Sequence, residues 1–220
     1  MIFAVKICGL SSLPAIEAAV GGDASHLGFI FFERSPRHVS VDRAASLAQH
    51  RKSAKAVAVT VDADDAYLDA IVSLMAPDML QLHGAETVER LHALKSRYGL
   101  PTIKALSIRS AADMAKVHHY DGEADMLLLD AKPPKGSGLP GGNGVSFDWS
   151  LIDNLQTKSP VLLSGGIDCD NLRGALERVS SPGNTIVGFD LSSGVESAPG
   201  VKDIAKIAEF LDLCKQAQAA

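Results

Sequence analysis

The chain has 220 residues, of which 46% are apolar, 21% charged and 5% aromatic. That length suits one large domain better than two small ones, and the apolar fraction excludes a disordered or collagen-like chain. With 26 acidic against 21 basic residues the net charge is -5, the wrong sign for a general nucleic-acid binder, so an anionic ligand is expected at a local site and not in the overall field. From the N-terminus, a strand is expected over 3–7 (FAVKI) and a helix over 13–20. A second strand over 26–31 (HLGFIF) leads to a helix over 41–51, and a third over 55–61 (KAVAVTV) to a helix over 64–75. The fourth pair is expected at 78–82 and 86–97, and the fifth at 101–106 and 110–119. A sixth strand, 124–130 (ADMLLLD), is followed by a Pro- and Gly-rich stretch and a short helix over 149–155. The last two units are expected at 160–163 with 171–179, and at 185–191 with 201–217.

Strict alternation implies parallel strands, because each helix returns the chain to the same end of the sheet. Strands rich in Val, Ile and Leu fit burial on both faces. Eight units suit a closed (β/α)8 TIM barrel, a single domain over residues 1–220, near the minimal length for that fold. A doubly wound open sheet is the structural alternative, but the first turn, Cys8-Gly9-Leu10-Ser11-Ser12, is not the GxGxxG of a nucleotide-binding member. No linker or composition shift divides the chain, so the segment 131–144 is expected to be a functional loop, a lid over the mouth.

The three cysteines, Cys8, Cys169 and Cys214, match neither a zinc spacing nor a CxxC pair. A reducing compartment fits that usage. No stretch reaches the ~18–20 apolar residues of a membrane span, and the N-terminus lacks the features of a signal peptide. The expectation is a cytoplasmic protein.

In a TIM barrel the site lies at the C-terminal ends of the strands. Lys6 and Cys8 have the same parity, so they share one face while Val5 and Ile7 take the other. Cys8 reads either as a small buried apolar residue or as a general base, with Lys6 drawing its pKa from about 8.5 toward neutrality. Asp130 ends an apolar run; it is either a loop anchor or a general acid kept protonated by apolar surroundings. Asp190 is a second, lesser candidate. The turns Ser164-Gly165-Gly166-Ile167 and Ser192-Ser193-Gly194 follow the seventh and eighth strands, where phosphate sites on such barrels are built. Arg37, after the second strand, carries a fork suited to a carboxylate, although a lone loop arginine is more often solvated. His83, after the fourth strand, is a ligand contact or a hydrogen-bonded structural residue. No histidine or carboxylate set has a recognisable metal-site spacing.

Several segments together resemble the phosphoribosylanthranilate isomerase family over nearly the full chain. They are VKICGL at 5–10, GFIFFERSPRHV at 28–39, QLHG at 81–84, LLLD at 127–130, GGNGVSFDW at 141–149, LLSGGI at 162–167 and FDLSSGVESAPGVKD at 189–203. Two positions depart from the family's pattern: Ser164 stands where Ala is commoner, and Phe189 where a smaller residue is usual. The resemblance implies an Amadori rearrangement of N-(5-phosphoribosyl)anthranilate in tryptophan biosynthesis. It implies Cys8 as general base, Asp130 as general acid and Arg37 on the anthranilate carboxylate. The turns with Gly165, Gly166, Ser192, Ser193 and Gly194 would hold the phosphate. It implies no metal or cofactor, and a small-molecule sugar phosphate as the only ligand, with no nucleic acid or membrane partner. The chain is expected to be a monomer, or a homodimer joined through an apolar loop at 29–32. Three alternatives are a ribulose-phosphate epimerase with a His/Asp metal site, an indole-glycerol-phosphate synthase using Lys6 or Lys104, and a non-catalytic phosphate-binding barrel.

Overall fold

The computed structural model describes residues 3–131, 141–142, 148–153, 155–180 and 183–219. Eight strands run β1 (Ala4–Cys8), β2 (His26–Phe31), β3 (Lys55–Thr60), β4 (Met79–Leu82), β5 (Thr102–Ile108), β6 (Met126–Ala131), β7 (Val161–Leu163) and β8 (Ile186–Leu191). They pair in that order and close, β8 returning to β1, into a parallel barrel. Helices α1 (Leu13–Gly21), α2 (Val41–Ala48), α3 (Asp65–Met75), α4 (Val88–Tyr98), α5 (Met114–Tyr120), α6 (Leu172–Val179) and α7 (Ile204–Ala219) cover it.

The sequence explains where α2, α3 and α4 start. Ser40, Asp64 and Thr87 accept hydrogen bonds from Arg43, Tyr67 and Arg90 N–H and so cap α2, α3 and α4. In α7 the buried residues Ile207, Phe210, Leu211 and Cys214 recur at helical spacing, one stripe facing inward. None of the described helices is long and apolar enough to cross a membrane.

Strand alternation sorts the core into two layers. Cys8, Val57, Val59, Met79, Ile103, Ala105, Leu128 and Leu162 fill the barrel interior. Val5, Ile7, Leu27, Phe29, Leu127, Leu129 and Phe189 face the helices. The expected split between Lys6/Cys8 and Val5/Ile7 is therefore observed.

The structure differs from expectation in three places. Residues 29–31 lie in β2, with Phe29 and Phe31 buried in the outer layer. Of the apolar loop expected at 29–32, only Ile30 and Phe32 keep partial exposure. The sixth helix is only a 3-10 turn, Trp149–Ile152. After β8 the chain does not run straight into a helix. A 3-10 turn (Ser193–Val195) leads into an antiparallel hairpin, β9 (Glu196–Ala198) and β10 (Val201–Lys202), and only then into α7. Of the expected lid over 131–144, residues 132–140 and 143–144 lie outside the described residues.

Candidate active site

The C-terminal mouth of the barrel holds a pocket of about 740 Å³, counted out to open solvent. Cys8, Arg37, His83, Asp130, Asp190 and the two glycine turns line it, whereas Lys6 and Lys104 do not.

β1 directs Lys6 and Cys8 to the interior. Lys6 stands directly across the β1–β8 ladder from Asp190, and its ammonium donates to Asp190 Oδ1 at 2.7 Å with no exposure to solvent. Cys8 lies opposite Gly28 on β2. A Cβ at 28 would stand 2.9 Å from Cys8 Sγ and 3.0 Å from Lys6 Nζ, so only glycine leaves room for both groups. Burial works against the Lys6 charge, but Asp190 and Cys8 outweigh it and raise its pKa. The expectation for Cys8 is reversed. Burial pushes its thiol up, and this outweighs the downward pull of Lys6, whose charge is already answered by Asp190. The resting form of Cys8 is the thiol.

Across the mouth, Asp130 ends β6 almost fully buried. Its Oδ1 accepts the Ala131 N–H at 2.9 Å, and its Oδ2 faces His83 Nε2 at 3.5 Å. Gln81, buried on β4, places its amide nitrogen 3.1 Å from His83 Nδ1. Gly141 closes over this pair; a Cβ there would collide with Asp130 Oδ2 and lie 2.8 Å from His83 Nε2. The loop behind His83 is tied down by Glu86, which accepts from Gly84 N–H and Asp62 N–H and pairs with Lys104 at 2.7 Å. Lys104 therefore sits outside the barrel, between inward-facing Ile103 and Ala105. It does not reach the mouth as the synthase alternative would require.

The glycine turns lie side by side. Gly165 adopts φ +87°, and its Cα packs on the Ala131 backbone. A side chain at Gly194 would collide with the Ile167 carbonyl. Neither the Gly165 nor the Gly166 N–H has a partner among the described residues, so both remain free to donate to an anion. Ser164 donates to Asp190 Oδ2 at 3.4 Å.

Arg37 is buried, not solvated. Its Nε and Nη2 donate to the two oxygens of Glu196 at 2.8 and 2.9 Å, and Nη2 also donates to the Gly142 carbonyl at 3.2 Å. Glu196 in turn accepts from Lys202 at 2.7 Å. Burial works to raise the Glu196 pKa, but hydrogen bonding from Arg37 and the Lys202 charge outweigh it and hold it below the usual range. Lys202 shares that one anion with Arg37, so burial prevails there and lowers its pKa. Neither Glu196 nor Lys202 stood out in the sequence as a site residue. The available signal was a glutamate directly after the second glycine turn, on a segment too short to show a period.

Residues 5–213 match the family model for N-(5'-phosphoribosyl)anthranilate (PRA) isomerase. The chain belongs to that family. An N-(5'-phosphoribosyl)anthranilate isomerase of Agrobacterium fabrum is 56% identical over 210 residues, covering 95% of this chain and 93% of the relative. Among solved structures, the phosphoribosylanthranilate isomerase of Thermotoga maritima superposes with a TM-score of 0.85 at 30% identity, over 97% of this chain and 99% of that one. A further structure of a phosphoribosylanthranilate isomerase, in complex with reduced 1-(o-carboxyphenylamino)-1-deoxyribulose 5-phosphate, matches with a TM-score of 0.82 at 28% identity, again over 97% and 99% of the two chains. The isomerase relatives thus share the whole barrel with this chain and not one motif alone.

Proposed function

We propose that the chain catalyses the Amadori rearrangement of N-(5'-phosphoribosyl)anthranilate to 1-(o-carboxyphenylamino)-1-deoxyribulose 5-phosphate in tryptophan biosynthesis, in the cytoplasm. The observation that carries this reading is the convergence on one pocket of an acid, a base and two separate anion anchors.

Each role follows from geometry. Arg37 has its Nε–Nη2 edge on Glu196, which leaves Nη1 for the anthranilate carboxylate. The free N–H groups of Gly165 and Gly166, with the neighbouring Ser192-Ser193-Gly194 turn, take the phosphate. This arrangement lays the sugar between Cys8 and Asp130. Asp130 gives its proton to the furanose ring oxygen, and the ring opens to a Schiff base. Cys8, as thiolate, removes the proton from C2, and the C2–H electrons form the enolamine. Tautomerisation of the enolamine gives the ketone. Substrate and product are isomers, so no oxidant or reductant is consumed. Lys6 is the nearer cation to the Cys8 sulfur, with a smaller contribution from Lys202, and it stabilises the thiolate when it forms. Local cationic groups explain how a chain of net charge -5 holds a doubly anionic ligand.

The test is steady-state kinetics on Cys8→Ala and Asp130→Asn, following loss of substrate fluorescence. Removal of a positioned acid or base is expected to lower kcat ~10²–10⁴-fold. A variant that keeps near-wild-type kcat removes that residue from the mechanism.

A further inference from the structure

The carboxylate of Glu196 is saturated. Oε1 accepts from Arg37 Nε and from Lys202 Nζ at 2.8 and 2.7 Å. Oε2 accepts from Arg37 Nη2 and from the Gly200 N–H at 2.9 and 3.2 Å. With its lone pairs engaged, Glu196 has nothing left to offer a ligand. Whatever it does for binding, it does through its partners.

Those partners belong to two different anion anchors. Arg37 sits on the loop after β2, a sequence distance of 159 residues from Glu196. Lys202 stands opposite Glu196 in the β9–β10 hairpin. From there its ammonium donates to the Ser192 carbonyl at 2.8 Å, the residue that opens the second glycine turn. The tip of the hairpin also docks on the first anchor, since a Cβ at Gly200 would stand 2.5 Å from the Pro36 carbonyl. The Glu196 and Lys202 side chains are almost wholly buried, at 4% and 1% exposure, so water does not compete for these bonds.

We propose that Glu196 is a positioning residue that, through Lys202, locks Arg37 and the Ser192–Gly194 turn into one rigid frame and so sets the spacing between the carboxylate and phosphate subsites. The inference rests on the assignment of those two subsites given above. The frame selects ligands with two anionic ends at that separation. It also accounts for the hairpin's contacts with both anchors, which run beside the bond that Lys206 of α7 donates to the Glu196 carbonyl. A loose Arg37 would have to be ordered each time a ligand binds, at a cost in affinity before both anionic ends engage.

Glu196→Gln keeps the shape and removes the charge, and one of its amide hydrogens must face a cationic donor. Its KM is expected to rise on the order of 10–100-fold, the loss of one or two charge-assisted hydrogen bonds, with kcat within about threefold, the signature of lost uniform binding. Inhibition by anthranilate and by inorganic phosphate should both weaken, because the frame serves both subsites. Lys202→Met should weaken anthranilate inhibition although Lys202 does not face that subsite, and should add nothing to it in the Glu196→Gln background. Glu196→Asp, which keeps the charge but shortens the reach, should fall between wild type and Glu196→Gln. It carries the same comparison if Glu196→Gln does not fold by circular dichroism. The proposal is overturned if Glu196→Gln or Glu196→Asp lowers thermal stability with both inhibition constants unchanged. It is also overturned if Lys202→Met and Glu196→Gln act additively on anthranilate. Arg37→Ala separates this from the subsite assignment: unchanged anthranilate inhibition in that variant refutes the assignment, whatever Glu196 does.

Discussion

Lys6, Cys8 and Asp190 place one fully buried ammonium between a thiol and a carboxylate that line the pocket. The carboxylate takes the hydrogen bond, so the thiol receives only part of the ammonium's field, and burial decides its protonation. A pH dependence follows. Cys8 acts as a base in its thiolate form, and its pKa is raised above the ordinary value of 9.0. The thiolate fraction therefore stays below one half at pH 9 and falls about tenfold for each unit below that. Because kcat/KM reports the free enzyme, it should still be climbing at pH 9. The ultraviolet thiolate absorbance that distinguishes the chain from Cys8→Ala should rise over the same range. A plateau already reached by pH 8 in both measurements would show that Lys6 prevails over burial. The sequence showed that Lys6 and Cys8 share a face, because strand parity is a local property. It did not show the sign of their interaction. That depends on Asp190, 184 residues away, which meets Lys6 only when β8 closes the barrel onto β1. The Arg37–Glu196 pair was hidden for the same reason.

Closure itself is carried by elements whose periods were readable. The eight parallel strands and most of their helices follow from apolar runs and caps that any short window contains. The elements read wrongly or missed are too short to repeat a pattern: the four-residue 3-10 turn Trp149–Ile152, expected as a helix over 149–155, and the hairpin β9–β10, in which no strand exceeds three residues. The hairpin sits beside the anion anchors, so the least legible element lies closest to the chemistry. β8 shows the opposite case. Its Phe189 is a large, fully buried side chain, and the structure shows what it does. The ring packs against Phe3 at 5.9 Å between centroids and edge-on to Phe210 of α7 at 6.4 Å, tying the first strand, the last strand and the last helix together. It faces the helices, whereas its neighbour Asp190 faces the mouth. Phe189→Ala should therefore cost about 3–5 kcal/mol of stability in urea titration, while kcat of the folded fraction stays within about threefold. A loss of stability under about 1 kcal/mol, the scale of a surface change, would mean that the aromatic cluster does not hold the seam. A large loss of kcat in the folded fraction would mean that β8 transmits strain to Asp190.

At the scale of the whole molecule, the barrel buries ionisable groups at both ends, and the two ends respond differently to acid. At the mouth the carboxylate of Glu196 is held below its ordinary value of 4.5 by two cations, so its contribution is lost only in strong acid. His26 lies lower in the barrel, across the ladders from Lys6 and Lys55, with its Nδ1 2.8 Å from Ser25 Oγ. Burial and those two lysines lower its pKa from 6.5 to about 4. The unfolded chain therefore takes up a proton at His26 from about pH 6.5 downward, while the folded chain resists until about pH 4. Over that window the unfolded state binds more protons, so stability falls as pH falls. With those two values, the loss between pH 7.5 and pH 5.0 is about 2 kcal/mol at 1.36 kcal/mol per unit. Urea titrations at the two pH values measure it directly. His26→Gln, which keeps a polar group beside Ser25 and cannot be protonated, should show a correspondingly smaller difference. If wild type is equally stable at both pH values, or if the variant loses as much as wild type, the acid sensitivity of the barrel does not originate at His26. If the difference shrinks as expected, the barrel can be hardened against mild acid at its closed end, away from the mouth where the anion anchors need their charges.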